Sequence, residues 1–180
     1  MARIPPVNSK EISVETRKAF NKHTTAYNTR ITNMKATLGH SLIAFEVYMQ
    51  WYPLYEELKK ITGERLAYLY AYSISYAADC PLCTTYFRKT IIDAGENPEN
   101  FEVNEQGQQL LSFGSAIVSK NGYVEDALFN ALKKQYDDEQ LVVLIAFAGQ
   151  MIATNIFNNV INTEIDNYLS DYLPSKKIDV

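Results

Sequence analysis

Glu64-Arg65-Leu66-Ala67-Tyr68-Leu69-Tyr70-Ala71-Tyr72-Ser73-Ile74-Ser75-Tyr76-Ala77-Ala78-Asp79-Cys80-Pro81-Leu82-Cys83 is the stretch that decides the fold. Leu66, Leu69, Tyr70, Ser73, Ile74 and Ala77 recur at i, i+3, i+4, i+7, i+8 and i+11, which draws one apolar face of a helix. Thr62 is its expected N-cap, with Glu64 and Arg65 in the first turn. A second helix is predicted to start at Cys80 as N-cap, with Pro81 at the first helical position, and to stop at Gly95. Asn97-Pro98 then opens a loop. The chain's two cysteines therefore meet at a helix start. Unpaired backbone N–H groups and the positive end of the helix dipole lower the cost of a thiolate there. Two thiols at this spacing can close a disulfide and reopen it.

Outward from this hairpin nearly everything reads as helix. Glu11–Asn21, Ala26–Thr37 and Ser41–Lys60 have helical pattern upstream, the last interrupted or kinked by Pro53. Downstream, a helix through Glu105–Ser119 ends near Asn121-Gly122, and Val124, Ala127, Leu128, Ala131 and Leu132 form another stripe. Asp137 with Gln140 three residues on has capping-box character and launches a helix to about Asn162. No alternating strand run and no repeat appears, so the expected fold class is all-α in a single domain. Leu141 to Ala148 is apolar at eight consecutive positions. Such a helix either forms a subunit interface or runs through the centre of the core.

Composition excludes several functions. Hydrophobic residues make up 47% of 180 and charged residues 21%, a globular balance. A net charge of -4 and isolated Lys59-Lys60, Lys133-Lys134 and Lys176-Lys177 doublets speak against nucleic acid. The N-terminus has no apolar signal-like core. Gly149, Gln150, Thr154 and Asn155 interrupt the most apolar stretch, which is expected to be too polar to span a membrane. A cytoplasmic address follows, where a lone Cys-x-x-Cys is catalytic or metal-binding more often than structural.

Glu64-Arg65-Leu66-Ala67-Tyr68-Leu69, Asp79-Cys80-Pro81-Leu82-Cys83 and Ala94-Gly95 resemble the carboxymuconolactone decarboxylase family, in its alkylhydroperoxidase D-like branch. Phe113-Gly114-Ser115-Ala116-Ile117-Val118, Phe129-Asn130-Ala131-Leu132, Asp138-Glu139-Gln140-Leu141 and Asn155-Ile156-Phe157-Asn158-Asn159 continue the likeness, as do Arg3-Ile4-Pro5-Pro6 and Leu38-Gly39-His40-Ser41-Leu42. The resemblance implies an all-helical domain that forms homo-oligomers. Residues 25–172 would be that domain, with 1–24 an N-terminal arm and first helix and 173–180 a tail. It implies a thiol-dependent peroxidase or disulfide oxidoreductase, with a hydroperoxide or disulfide as substrate and a dithiol reductant such as a lipoylated protein. In that branch the second cysteine, here Cys83, attacks, and the first, Cys80, resolves. No cofactor and no metal is expected.

The family's proton relay is missing. Tyr68 stands where its acid belongs, twelve residues before Cys80, and Phe87 where its histidine belongs, four after Cys83. His23 and His40 lie far upstream. Phenylalanine moves no proton, and tyrosine with a pKa of ~10 is a poor base. Glu64, one turn or about 6 Å beyond the acid's position, offers a relay through water to Tyr68. The rival reading packs the Glu64, Tyr68, Tyr72, Tyr76 stripe against neighbouring helices. Between the sulfurs, an N-cap favours Cys80 as thiolate, whereas the family likeness and the adjacent Asp79 favour Cys83. Arg88 is not counted as a thiolate partner. A non-catalytic scaffold or small-molecule binder, with Tyr68, Tyr72, Tyr76, Tyr86 and Phe87 around an apolar pocket, is the alternative from another class. Lactone-acid decarboxylation lacks its cationic and histidine groups, and zinc lacks half its ligands.

Overall fold

Tyr70 sits at the middle of the molecule, fully buried, its hydroxyl donating to the carbonyl of Leu144 at 3.2 Å. The computed structural model describes residues 1–8 and 10–174. Tyr70 belongs to α5 (Glu64–Ala77), whose Ala67, Leu69, Ala71 and Ile74 are likewise sealed from solvent. Around α5 stand α4 (Trp51–Thr62), α6 (Pro81–Asp93), α7 (Glu105–Ser119) and α9 (Asp138–Ile161), with α8 (Asp126–Lys133) bridging α7 and α9. Before them come α1 (Val14–Tyr27), α2 (Asn33–Leu38) and α3 (Leu42–Tyr48). A 3-10 helix, Asn167–Tyr172, closes the described chain against α6. Among the described residues there is no strand, and the all-α expectation holds.

Gly114 sets how closely α5 and α7 approach. A Cβ there would lie 2.7 Å from the Tyr70 ring and 2.9 Å from both Ile74 Cγ1 and Ser73 Oγ. At the head of α9 the predicted capping box is formed: Gln140 N–H donates to Asp137 Oδ1 at 2.8 Å, and Gln140 Oε1 accepts from Asp137 N–H at 3.1 Å.

The N-terminal third departs from the sequence reading. Ala26–Thr37 is two helices: Asn28, at φ 44°, ends α1, and Thr32 caps α2 by accepting from Lys35 N–H. Ser41–Lys60 is also split. α3 ends at Tyr48 and α4 restarts at Trp51, which leaves Pro53 in a first turn, where a missing N–H and a ring clash cost least. Thr62 does not cap α5. Its hydroxyl donates back to Leu58 O at 3.0 Å, and Gly63, at φ 80°, makes the corner between α4 and α5. The proposed boundary between residues 24 and 25 falls inside α1, which packs Phe20 against Phe45 of α3. Residues 175–180 of the expected tail lie outside the described residues.

α9 has one face in the core and another left bare. Leu141, Leu144, Phe147, Ala148 and Met151 are core, while Val142, Ile145, Ile156 and Val160 stay exposed. By length and composition α9 is apolar enough to cross a membrane, which corrects the expectation from its polar interruptions. In this fold it lies along α4 and α5 instead.

Candidate functional site

The turn into α6 is held from two sides. Asp79 takes a left-handed conformation at φ 48°, and Asn159 Nδ2 of α9 donates to the carbonyls of Ala78 and Asp79, each at 3.2 Å. Cys80 is then the N-cap as predicted, its sulfur accepting from Cys83 N–H at 3.5 Å, with Pro81 at the first helical position. Both thiols are free and buried, Cys80 at 1% exposure and Cys83 at 7%. Leu169 of the closing 3-10 helix packs over them.

The two sulfurs differ in acidity. Cys80 is pulled below the usual thiol range, first by the Cys83 thiol that donates to it and then, against burial, by the N–H groups of Cys83 and Leu82. Asp79 opposes a Cys80 thiolate, as the sequence suggested, but as the smallest of the effects, so the net shift is still downward. Cys83 is pushed up because it is the donor in that pair and because it is buried. Asn158 works the other way on Cys83, donating Nδ2 to its sulfur at 3.3 Å. The Thr163 hydroxyl, donating to Asn158 Oδ1 at 2.9 Å, fixes the amide in that orientation.

Cys83 forms part of the wall of a cavity of about 530 Å³; Cys80 does not. The walls come from the α1–α2 loop and α2, the α3–α4 junction, α6, α9 and the 3-10 helix. Trp51, Tyr52, Tyr86, Phe87 and Tyr168 supply aromatic surface, and Met34, Met49 and Met151 supply sulfur. Trp51 is fixed in place, its indole N–H donating to Met151 Sδ at 2.8 Å.

The relay that Glu64 and Tyr68 could have offered is not assembled. Tyr68 donates its hydroxyl to Glu96 Oε1 at 2.7 Å, and Arg65 Nε clamps the same oxygen at 2.9 Å. Glu96 follows the C-terminus of α6, whereas the thiols sit at its N-terminus, a helix length of about 20 Å away. Burial and the bond to Glu96 push the Tyr68 phenol up to about 12. Glu64 is exposed and makes no hydrogen bond to Tyr68. Phe87 does border the cavity, edge-on to Tyr86 at 5.1 Å. The imagined pocket of five aromatics is divided: Tyr86 and Phe87 face the cavity, and Tyr72 and Tyr76 line a separate groove with Phe101. His40 is exposed against Pro5 O at 2.9 Å, and His23 lies buried among Tyr27, Phe45 and Tyr52. Among the described residues no group of three His, Cys, Asp or Glu side chains is placed to hold a metal.

Sequence reasoning missed Lys35, Asn158, Trp51 and Asp166, all on the cavity wall. Asn158 did leave a signal, since asparagines at 155, 158 and 159 are unusual in an otherwise apolar helix. Lys35 left none, because its burial follows from a loop that the helical pattern had concealed.

No protein-family model matches the sequence, and no curated protein sequence matches it. Solved structures do. A variant of the debrominase Bmp8, crystallised with 2,3,4-tribromopyrrole, superposes with a TM-score of 0.77 at 16% identity, over 94% of each chain. The alkylhydroperoxidase AhpD core of an uncharacterized peroxidase-related protein from Ralstonia eutropha JMP134 gives 0.70 at 16% identity, covering 93% of this chain and 94% of that one. A peroxidase-related protein from Silicibacter sp. TM1040 gives 0.67 at 14% identity, over 94% and 91%. Across nearly its whole length, the chain has the all-α fold of the alkylhydroperoxidase D-like proteins, the fold that the resemblance around Cys80 and Cys83 implied.

Proposed function

We propose that the protein is a dithiol oxidoreductase in which Cys83 attacks a substrate held in the cavity and Cys80 resolves the product. The observation that carries this reading is the placement of the pair: Cys83 borders the cavity, and Cys80 stands behind it within hydrogen-bond reach. Cys80 also fills the gap left by the missing relay. Held as a thiolate, Cys80 accepts a hydrogen bond from the Cys83 thiol and takes its proton only as the Cys83 sulfur attacks the substrate. With a hydroperoxide, a sulfur–oxygen bond forms, the oxygen–oxygen bond breaks, and the departing alkoxide takes the proton back from Cys80. The Cys80 thiolate then attacks the Cys83 sulfenic acid sulfur, the disulfide forms, the sulfur–oxygen bond breaks, and the departing hydroxide takes a proton from solvent to become water. An external dithiol, such as a lipoylated protein, restores both thiols. Loss of the Glu and His relay costs roughly 10²–10⁴ in rate where general-base catalysis matters, so slow turnover is expected.

Thiol titration tests this. After hydroperoxide the wild type is expected to lose two thiols per chain and to regain both with dithiothreitol, and Cys83→Ser abolishes that paired loss. Thiols that stay reduced in excess hydroperoxide would favour a non-catalytic scaffold.

A second reading, reductive debromination, is favoured by the aromatic lining of a cavity larger than a hydroperoxide group requires. It is also favoured by likeness to a debrominase crystallised with a brominated pyrrole. There an aryl bromide and two thiols give the hydrogen-substituted ring, bromide, a proton and the disulfide. Bromide release separates the two readings. We further propose that a second copy of the chain covers the outer face of α9. After Glu139 that helix carries no charged residue, so the face has nothing to repel its own image.

A further inference from the structure

Lys35 is the one ammonium buried in the cavity wall, at 3% exposure. Its Nζ donates to the Thr29 hydroxyl at 3.2 Å and the Arg30 carbonyl at 3.0 Å, and lies 4.9 Å from the Tyr52 ring centroid. Among the described residues no carboxylate forms an ion pair with it. Asp166, the acid whose charge acts on Lys35, does so only through space; one of its oxygens accepts from Asn33 N–H at 2.9 Å, and the other is buried without a hydrogen-bond partner among the described residues. An ammonium has three donors, and two here are spent on neutral oxygens. A buried charge left without a counter-charge is costly, and an arriving anion removes that cost.

The surroundings point the same way. Of the charged side chains on the cavity wall, Arg30, Lys35 and Lys89 are cations and Asp166 is the single acid, in a chain of net charge -4. Arg30 is exposed and lies over the Tyr168 ring at 4.2 Å, where it adds positive potential beside Lys35. The remaining wall offers ring faces and methionine sulfur, surfaces suited to a flat apolar body.

We propose that the cavity binds a flat aromatic ring carrying an acidic group, a carboxylate or phenolate, with that group seated on Lys35. The proposal rests on reading this cavity as the substrate site. Burial, partly offset by Asp166, brings the Lys35 ammonium down to about 8. It is therefore still charged at neutral pH and ready to pair.

Trp51, the only tryptophan in the chain, borders the cavity and reports occupancy directly. Bromine quenches indole fluorescence on contact, so 4-bromobenzoate and its neutral isostere 4-bromobenzamide are titrated against the full chain at pH 7. The expected result is saturable quenching by the carboxylate at a dissociation constant at least tenfold below that of the amide. Lys35→Met, which keeps the length of the side chain, is expected to abolish the difference. Equal affinity for the two probes in the wild type, or no quenching by either, overturns the proposal; neither outcome depends on the variant folding. A folded Lys35→Met that keeps the preference overturns it too. Binding is read without turnover. Thiols that cycle in a protein with no preference for the anion leave the dithiol reading intact and remove this one. Selective binding with inert thiols does the reverse.

Discussion

Cys80 and Cys83 are the same residue three positions apart, yet they acquire opposite acidities because one ends a chain of donors and the other begins it. Cys80 receives the N–H groups of a helix start, and Cys83 supplies a proton to it. The spacing and the N-cap were legible in the sequence. Asn158 on Cys83 was not, since α9 reaches that sulfur from 75 positions away. The Tyr68 bond to Glu96 was equally hidden, because it depends on where a loop turns after α6. His23 shows another residue-level consequence. Burial, and then the charge of Lys35, lower its imidazole to about 4, and its Nε2 has no partner among the described residues. The unfolded chain binds a proton at His23 below about 6.5, while the folded chain refuses it until about 4. Stability is therefore lost as pH falls through that interval. Urea midpoints of the wild type are expected to drop between pH 6.5 and 4 more steeply than those of His23→Phe. Parallel curves would show that His23 contributes nothing.

At the level of elements, α6, α7 and α9 begin and end within a residue or two of their sequence-based bounds, because proline, asparagine and the capping box sit at their ends. Upstream, the reading Glu11–Asn21 stops six residues short of the end of α1, while Ala26–Thr37 and Ser41–Lys60 run across helix breaks, since an asparagine in left-handed conformation looks like any other polar residue in a helical pattern. The contact between α5 and α7 depends on a single missing side chain. Gly114→Ala adds a methyl group inside 3.0 Å of Tyr70, Ile74 and Ser73, and Tyr70 cannot yield without losing its bond to Leu144. Overpacking of this kind costs about 1–3 kcal/mol, against a helix-propensity gain of ~1 kcal/mol. A lower melting temperature is the expected outcome, and an unchanged or higher one would mean that the two helices separate at little cost.

For the molecule as a whole, the eight-residue apolar run announced an unusual helix but not which side of it would stay bare. Only the assembled bundle divides α9 into a packed face and one carrying Val142, Ile145, Ile156 and Val160. Light scattering at micromolar concentration is expected to give at least a dimer, and Val142→Lys with Ile156→Lys is expected to give a monomer that keeps its helical circular dichroism. A wild type that is monomeric throughout removes the second copy from α9. The cavity itself was illegible for a similar reason: its walls come from residues 28 to 169, and no local pattern records their convergence.

The lid over the sulfurs has a consequence for how the protein is made. Cys80 and Cys83 leave the ribosome more than eighty residues before Leu169, which covers them, and before Tyr172, whose carbonyl accepts from Arg88 Nε at 2.9 Å. Throughout that interval of synthesis both sulfurs stand open to whatever oxidant or thiol the surroundings hold. A nascent chain arrested in the segment Thr163 to Asp166 would carry them without that cover.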